Sequence, residues 1–419
     1  MSAFVPVPVS ASAEPWTVPA TGARADERAY RLTSIDMLRG LVIVVMALDH
    51  VRDYFLADLD PNFMDDPAVS PALFFTRWIT HLCAPVFVFL AGTSAGLMVL
   101  RKTPAQLAGF LATRGLWLIL VEWFVISTAF SFAPLGSPGL GGRTLVVLQV
   151  IWAIGASMLV LALCQFLGRR VCLALGAVIV IGHNALDAVW PSPDSFAPAA
   201  TPLWVVLHAR LREPLGPLFV VFSYPVLPWI GVMLCGFGSS ALFELPARRR
   251  QGALLLAGIA MILGFLLLRA FDVYGDPNHW REQPGSALRT ALDFLNVTKY
   301  PPSLDYLLAT LGPAAIVCAL AERWSGGLKD RLVLLGRVPF AFYVAHFYLI
   351  HALAVMLGAW QGFPAADFFD MYYFFPKGYG LPLWGVYVVW ALVIALLYPW
   401  ARWVAGVKAR SRAWWLSYL

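Results

Sequence analysis

The stretch RLTSIDMLRGLVIVVMALDHVRD, residues 31–53, ends an apolar run with four ionisable side chains in five positions: Asp49, His50, Arg52 and Asp53. An imidazole flanked by carboxylates is suited to general-base work near neutral pH. Arg39 stands eleven residues before His50. On a helix the two lie within roughly 20° of one face and roughly 16 Å apart along the axis. One rod would then carry a cation near its start and a base deeper in. Asp49 and Asp53 are the candidates to orient His50, and Asp49 is spaced to pair with Arg52. The competing account is a row of interfacial charges beside a packed histidine. Charges at the end of a membrane-length apolar run are costly, and that favours a site.

Further candidates follow along the chain. His81 sits in FFTRWITHLCAPVFVFLAGTSAGL, four residues before Pro85, which loosens a helix there. It is read as a second acid/base or an acceptor-binding residue, against the alternative of a packed interfacial histidine. Gly92, Ser94 and Gly96 in the same segment allow close helix packing. Glu122, inside LWLILVEWFV, needs a hydrogen-bonding partner in a bilayer and is read as such a partner, not as a catalyst. Lys299, just before Pro301 and Pro302, either snorkels or holds an anionic group at the outer mouth. Arg337, His346 and His351 fall in LLGRVPFAFYVAHFYLIHALAV, expected as one helix. On it Arg337 and His351 share a face within roughly 40°, and His346 points away. A metal on His50 and His81 would need a third ligand from Asp49, Asp53 or a distant loop. No metal-ligand spacing is visible, so none is expected.

The elements that must position these residues are membrane helices. The chain is 60% hydrophobic and 13% charged, about half the charge of an ordinary globular chain. The expectation is an all-α polytopic bundle of about ten transmembrane helices, eleven at most, with both termini cytoplasmic. The spans fall at roughly 37–56, 78–100, 110–132, 144–167, 171–190, 217–243, 252–273, 303–321, 332–356 and 383–405. Lys and Arg collect in every second loop, as at Arg101–Lys102, Arg169–Arg170 and Arg248–Arg250, which places those loops in the cytoplasm. Residues 191–216 fit neither a plain loop nor a span, and 203–211 reads as an interfacial helix. Residues 1–30 read as a disordered cytoplasmic tail, 31–407 as the membrane domain and 408–419 as a basic, aromatic tail. The net charge of +6 lies in short loops and does not imply nucleic acid. The five cysteines, an odd number with no Cys-x-x-Cys, read as small core residues.

The segments RLTSIDMLRGLVIVVMALDHVRDYF, SPALFFTRWITHLCAPVFVFLAGTSAGL, TRGLWLILVE, LQVIWAIGASM, NVTKYPPSLDYLLATLGPA and GRVPFAFYVAHFYLIH together resemble the bacterial branch of the heparan-alpha-glucosaminide N-acetyltransferase catalytic family. That family belongs to a wider group of transmembrane acyltransferases. A related group has an arginine, ten residues and a catalytic histidine in its first span, the spacing of Arg39 and His50. The resemblance implies that an acyl group, typically acetyl, passes from cytoplasmic acyl-CoA to an amino or hydroxyl group of a sugar or glycan across the membrane. It implies acetyl-CoA as donor substrate, a bacterial inner membrane and a multi-pass protein, and it is compatible with a homo-oligomer. The expected roles are His50, Asp49, Asp53 and His81 in catalysis and Arg39, Arg337, Lys299 and His346 at the donor. The competing function is a proton-coupled transporter or flippase of a small polar or lipid-linked substrate, with the Asp/His cluster as its relay.

Overall fold

The computed structural model describes residues 33–60, 62–66, 68–187, 202–411 and 413. The tail expected over 1–30 lies outside the described residues, as does most of 408–419. The first helix, α1 (Thr33–Phe55), is 23 residues long. It is followed by α2 (Pro71–Thr80), α3 (Cys83–Met98), α4 (Pro104–Val121) and α5 (Ser127–Ser131). A strand, β1 (Thr144–Leu148), leads into α6 (Val150–Cys164) and α7 (Arg169–Gly182). Then come α8 (Pro202–Leu207), β2 (Leu211–Leu215), β3 (Leu218–Phe222), α9 (Val226–Ser239) and α10 (Ala247–Phe271). The chain continues through α11 (Ala287–Leu295), α12 (Leu304–Ala321), α13 (Gly327–Gly336), α14 (Pro339–Trp360) and α15 (Leu383–Arg410).

Among the described residues nine helical stretches are long and apolar enough to cross a membrane, in good register with the expected spans. The tenth expected crossing is α1, set apart by Asp36, Arg39, Asp49, Arg52 and Asp53. These charges explain its place. A charge at the bilayer centre costs roughly 2.5–3.5 kcal/mol even on insertion scales, so a helix carrying five must be wrapped in protein. Accordingly α1 packs against α2, α3, α12, α13, α14 and α15, and Asp36, Asp49 and Arg52 are buried. Leu56 at its end bridges to Leu381 at the entrance of α15, so the two helices run antiparallel.

Glycine lets α1 reach its neighbour. A Cβ on Gly40 would lie 1.8 Å from the Leu332 carbonyl oxygen of α13, and one on Gly336 would lie 1.8 Å from the Asp36 carbonyl oxygen. The expected close packing at Gly92 and Gly96 is also present, against α9 and Ser240, whereas Ser94 hydrogen-bonds Arg39.

Three interruptions shape the interior. The second crossing breaks at His81 and Leu82, because Pro85 cannot donate to the His81 carbonyl. The freed oxygen accepts from the Tyr306 hydroxyl of α12 at 2.8 Å. In the third crossing a π turn spans Glu122–Ile126. The Glu122 carboxylate accepts from the backbone N–H groups of Gln149 at 3.2 Å and Trp152 at 3.1 Å, which caps the start of α6 and supplies the partner this acid needs. The third break corrects the expected single helix over 332–356. Val338 leaves helical geometry and Pro339 starts α14, so Arg337 sits in a corner and its angular relation to His351 does not hold.

A small sheet was not anticipated. β1 pairs parallel with β3 and β2 antiparallel with β3, in the order β1-β3-β2. Residues 144–148 and 218–222 thus do not belong to helical spans, and helix within 203–211 ends at Leu207. TLVVL and LFVVF are short apolar runs rich in Val, whose periodicity does not distinguish strand from buried helix. Substituting Gly40 with Ala should lower the thermal midpoint of the detergent-purified protein. The expected cost exceeds the roughly 1–3 kcal/mol of ordinary overpacking, because the clash is with backbone. An unchanged melting curve would contradict the packing of α1 on α13.

Candidate active site

Two cavities lie along α1. The larger, about 520 Å³, lies at the C-terminal end of α1 and is polar. Asp49, His50, Arg52 and Asp53 enter it from α1, with Arg77 and His81 from the second crossing. Lys299 and Tyr300 come from the loop before α12, and Val147, Arg212 and Val221 from the sheet.

Asp49 is the electrostatic centre of this cavity. Arg77 Nη1 donates to both its carboxylate oxygens at 2.7 Å, and the Thr80 hydroxyl donates to Oδ1 at 2.7 Å. Arg52 Nη1 stands 2.8 Å from Oδ1, the pair expected from their spacing, and Lys299 Nζ is 3.8 Å from Oδ2. Asp53 accepts from Arg52 Nη2 at 2.5 Å. None of these contacts involves His50. Adjacent helical residues project about 100° apart, so Asp49 faces α2 and His50 faces α14.

The partner of His50 is His346. Its Nδ1 lies 2.6 Å from His346 Nε2, and the rings stack with centroids 4.9 Å apart. His346 Nδ1 in turn contacts the Tyr343 carbonyl oxygen, which can only accept. That bond makes Nδ1 the protonated nitrogen of His346 and leaves Nε2 as an acceptor. His50 must therefore donate from Nδ1, and its own Nε2 carries the lone pair. Phe347, 4.2 Å from the His50 ring by centroid, helps to fix the plane. His346 is fully buried behind His50 and lines neither cavity.

His81 lines the polar cavity, is buried, and packs on the Tyr306 ring at 5.3 Å. Lys299 likewise lines this cavity, beside Asp49, at the other end of α1 from Arg39. Burial pushes the Tyr300 phenol up, but Lys299, Arg77 and the Tyr224 hydrogen bond outweigh it and hold it below the usual range. His351 is held apart from both cavities. Its ring nitrogens each lie 2.7 Å from a carbonyl oxygen, of Ala129 and Phe368, which ties α14 to α5.

The second cavity, about 350 Å³, is mainly apolar, with walls such as Phe87, Leu118 and Ile151. Arg39 and Arg114 supply its charge. Arg39 is fixed by Ser94 Oγ, by the Leu90 carbonyl at 3.3 Å and by Asp36 at 3.4 Å. Arg337 Nε is 3.9 Å from the same Asp36, and its half-exposed side chain lies outside the lining. Met46 and Tyr343 also line this cavity. Met46 is one turn before His50, and the Tyr343 ring meets His50 edge-on at 6.5 Å. His50, in the lining of the polar cavity, and Tyr343, in the lining of the apolar one, thus stand side by side between the two spaces.

The sequence did not single out Arg77, Thr80, Tyr300, Arg210 or Arg212 as site residues. Arg77 had a legible signal, being four residues before His81 and hence on its face. Arg210 and Arg212 had another: they are cations in a loop that the charge alternation assigns to the far side.

A bundle of membrane-crossing helices around a histidine pair, His346 buried and His50 part-buried, with cavities along α1, defines a multi-pass helical membrane protein with an internal site. Residues 31–270 match the family model described as "Heparan-alpha-glucosaminide N-acetyltransferase, catalytic". The match covers more than half of the chain, and the chain belongs to this family of membrane acetyltransferases. No curated protein matches it. The matched segment brings His50, Arg77 and His81, whereas Lys299, Tyr343 and His346 lie beyond it. Replacing Asp49 with Asn should leave buried Arg52 and part-buried Arg77 without their shared anion. The expected loss is roughly 3–5 kcal/mol, seen as a lower thermal midpoint. A variant as stable as the parent would show that the cluster does not hold the helices together.

Proposed function

We propose that the protein transfers an acetyl group from acetyl-CoA, entering at the Arg39 end, to an amino or hydroxyl group of a sugar or glycan in the polar cavity. The observation that carries this reading is the position of His50 in the wall between an apolar cavity with cations and a polar one. Acyl transfer between two compartments needs a base at such a boundary. The basic loops assign the Arg39 end to the cytoplasm, in this reading that of a bacterial inner membrane.

Arg39 attracts the phosphates of the donor. The roughly 16 Å between Arg39 and His50 is bridged by the extended pantetheine arm, which brings the thioester to the partition. The acceptor N–H or O–H attacks the thioester carbonyl, and His50 Nε2 takes its proton. The tetrahedral intermediate collapses, the C–S bond breaks, and His50 returns the proton to the departing thiolate. The products are the acetylated acceptor and CoA. His346 is a positioning residue that keeps the lone pair of His50 on Nε2. Asp49 and Asp53 act by holding the helices and the local field, not by touching the base. His81 lines the acceptor side as a second acid/base or binding residue.

The test is mass-resolved transfer of labelled acetyl from acetyl-CoA to an amino sugar by purified protein. His50→Ala should lower kcat by roughly 10²–10⁴-fold. His346→Ala should lower kcat less, with KM for acetyl-CoA unchanged, and Arg39→Ala should chiefly raise that KM. Full activity in His50→Ala would overturn the assignment.

A further inference from the structure

The reaction proposed for this site leaves one developing charge without a partner. When the acceptor attacks, an electron pair moves onto the thioester carbonyl oxygen, and that oxyanion needs a hydrogen-bond donor fixed in place beforehand. The histidine pair does not supply it. The single N–H of neutral His50 goes to His346, and that of His346 to the Tyr343 carbonyl. Hydroxyls nearby are also committed. Tyr54 donates to the Phe130 carbonyl at 3.1 Å, Tyr306 to the His81 carbonyl at 2.8 Å, Thr80 to Asp49 at 2.7 Å and Ser127 to the Glu122 carbonyl at 2.9 Å. The N–H groups of Gln149 and Trp152 at the start of α6 are taken by the Glu122 carboxylate.

Tyr343 differs from all of these. Its hydroxyl is buried and meets no hydrogen-bond partner among the described residues. Leaving a buried hydroxyl unpaired costs free energy, and nothing in the packing repays it. The ring lies 5.5 Å from that of His346 and 5.2 Å from that of Phe347, contacts that a phenylalanine would make equally well. The side chain lines the apolar cavity, the side from which the thioester arrives, and its ring meets His50 edge-on at 6.5 Å. A base and an oxyanion donor that act on one reaction centre must each come within roughly 3 Å of it, and two rings this close can do so. The site has one other buried, unpartnered group, His81 Nδ1, but that ring packs on Tyr306 and lines the polar cavity.

We propose that the Tyr343 hydroxyl is the oxyanion donor of acetyl transfer, hydrogen-bonding the thioester carbonyl oxygen while His50 acts on the acceptor. This rests on the acetyl-transfer reading of the site. The acceptor lone pair forms the new bond to the carbonyl carbon, the C=O π pair moves to oxygen, and Tyr343 donates a hydrogen bond to it without giving up its proton. The pair then re-forms C=O as the C–S bond breaks, and the thiolate takes the proton held by His50. Tyr343 thereby serves twice: its carbonyl sets the tautomer of the base through His346, and its hydroxyl receives the charge the base helps to create.

The test pairs two measurements on the purified full-length protein and its Tyr343→Phe variant. The first is the infrared carbonyl band of bound acetyl-CoA carrying carbon-13 at the thioester carbonyl. It should lie below that of the free donor in the parent and return toward the free value in Tyr343→Phe. The second is transfer of labelled acetyl to an amino sugar, whose kcat should fall roughly 10²–10³-fold with KM for acetyl-CoA little changed. The thermal midpoint should hold or rise, because the substitution removes an unpaired buried group. An identical band in the two proteins, an undiminished kcat in Tyr343→Phe, or a lowered midpoint overturns the proposal. Failure of the acetyl-transfer reading looks different: the band shifts in the parent and is restored in the variant, yet the parent transfers no acetyl, which removes the reading and the catalytic role with it but keeps the hydrogen bond.

Discussion

The ion cluster around Asp49 is the constraint on which the rest of the structure depends. One carboxylate on α1 binds Arg77 and Thr80 of α2, pairs with Arg52 one turn on, and faces Lys299 before α12. None of these charges is tolerable in hydrocarbon, and together they fasten three segments far apart in sequence at one depth. The central place of α1, the glycine contact with α13 and the break at Pro85 all serve this arrangement. Carbonyls freed by the break need partners inside protein, and Tyr306 supplies one.

From that frame the chemistry of the two cavities follows. Because Asp49 turns toward α2, His50 turns toward α14 and meets His346. The hydrogen-bond chain from the Tyr343 carbonyl through His346 to His50 sets the tautomer without a carboxylate in the relay. A neutral orienter avoids placing another charge at the partition, where the apolar cavity begins. The division is then spatial: charge accumulates at one end of α1, where it holds the bundle together. At the other end Arg39 is pinned by Ser94, Leu90 and Asp36 beside apolar walls.

Much of this was legible in the residues. Apolar runs and loop charges mark the membrane crossings, because bilayer thickness and lipid polarity act locally on each segment. The first crossing also declared itself: no lipid-facing helix sustains Asp49, Arg52 and Asp53 together. The sheet was less legible, since TLVVL and LFVVF satisfy strand and buried helix alike until a pairing partner is known. The α13–α14 corner has no distinct mark in the sequence, because Pro339 at a helix start and Pro inside a span look alike in one dimension.

What the sequence alone determined was therefore the class of architecture, the polar line on α1 and the identity of His50 and His81 as residues worth weighing. Those follow from spacing within single helices and from the cost of charge in lipid. Only the tertiary structure decided that Asp49 contacts Arg77 and not His50, that His346 stands behind His50, and that Lys299, Arg210 and Arg212 line one cavity. Each is a contact between segments far apart in the chain, set by helix rotation and packing, which no local pattern encodes.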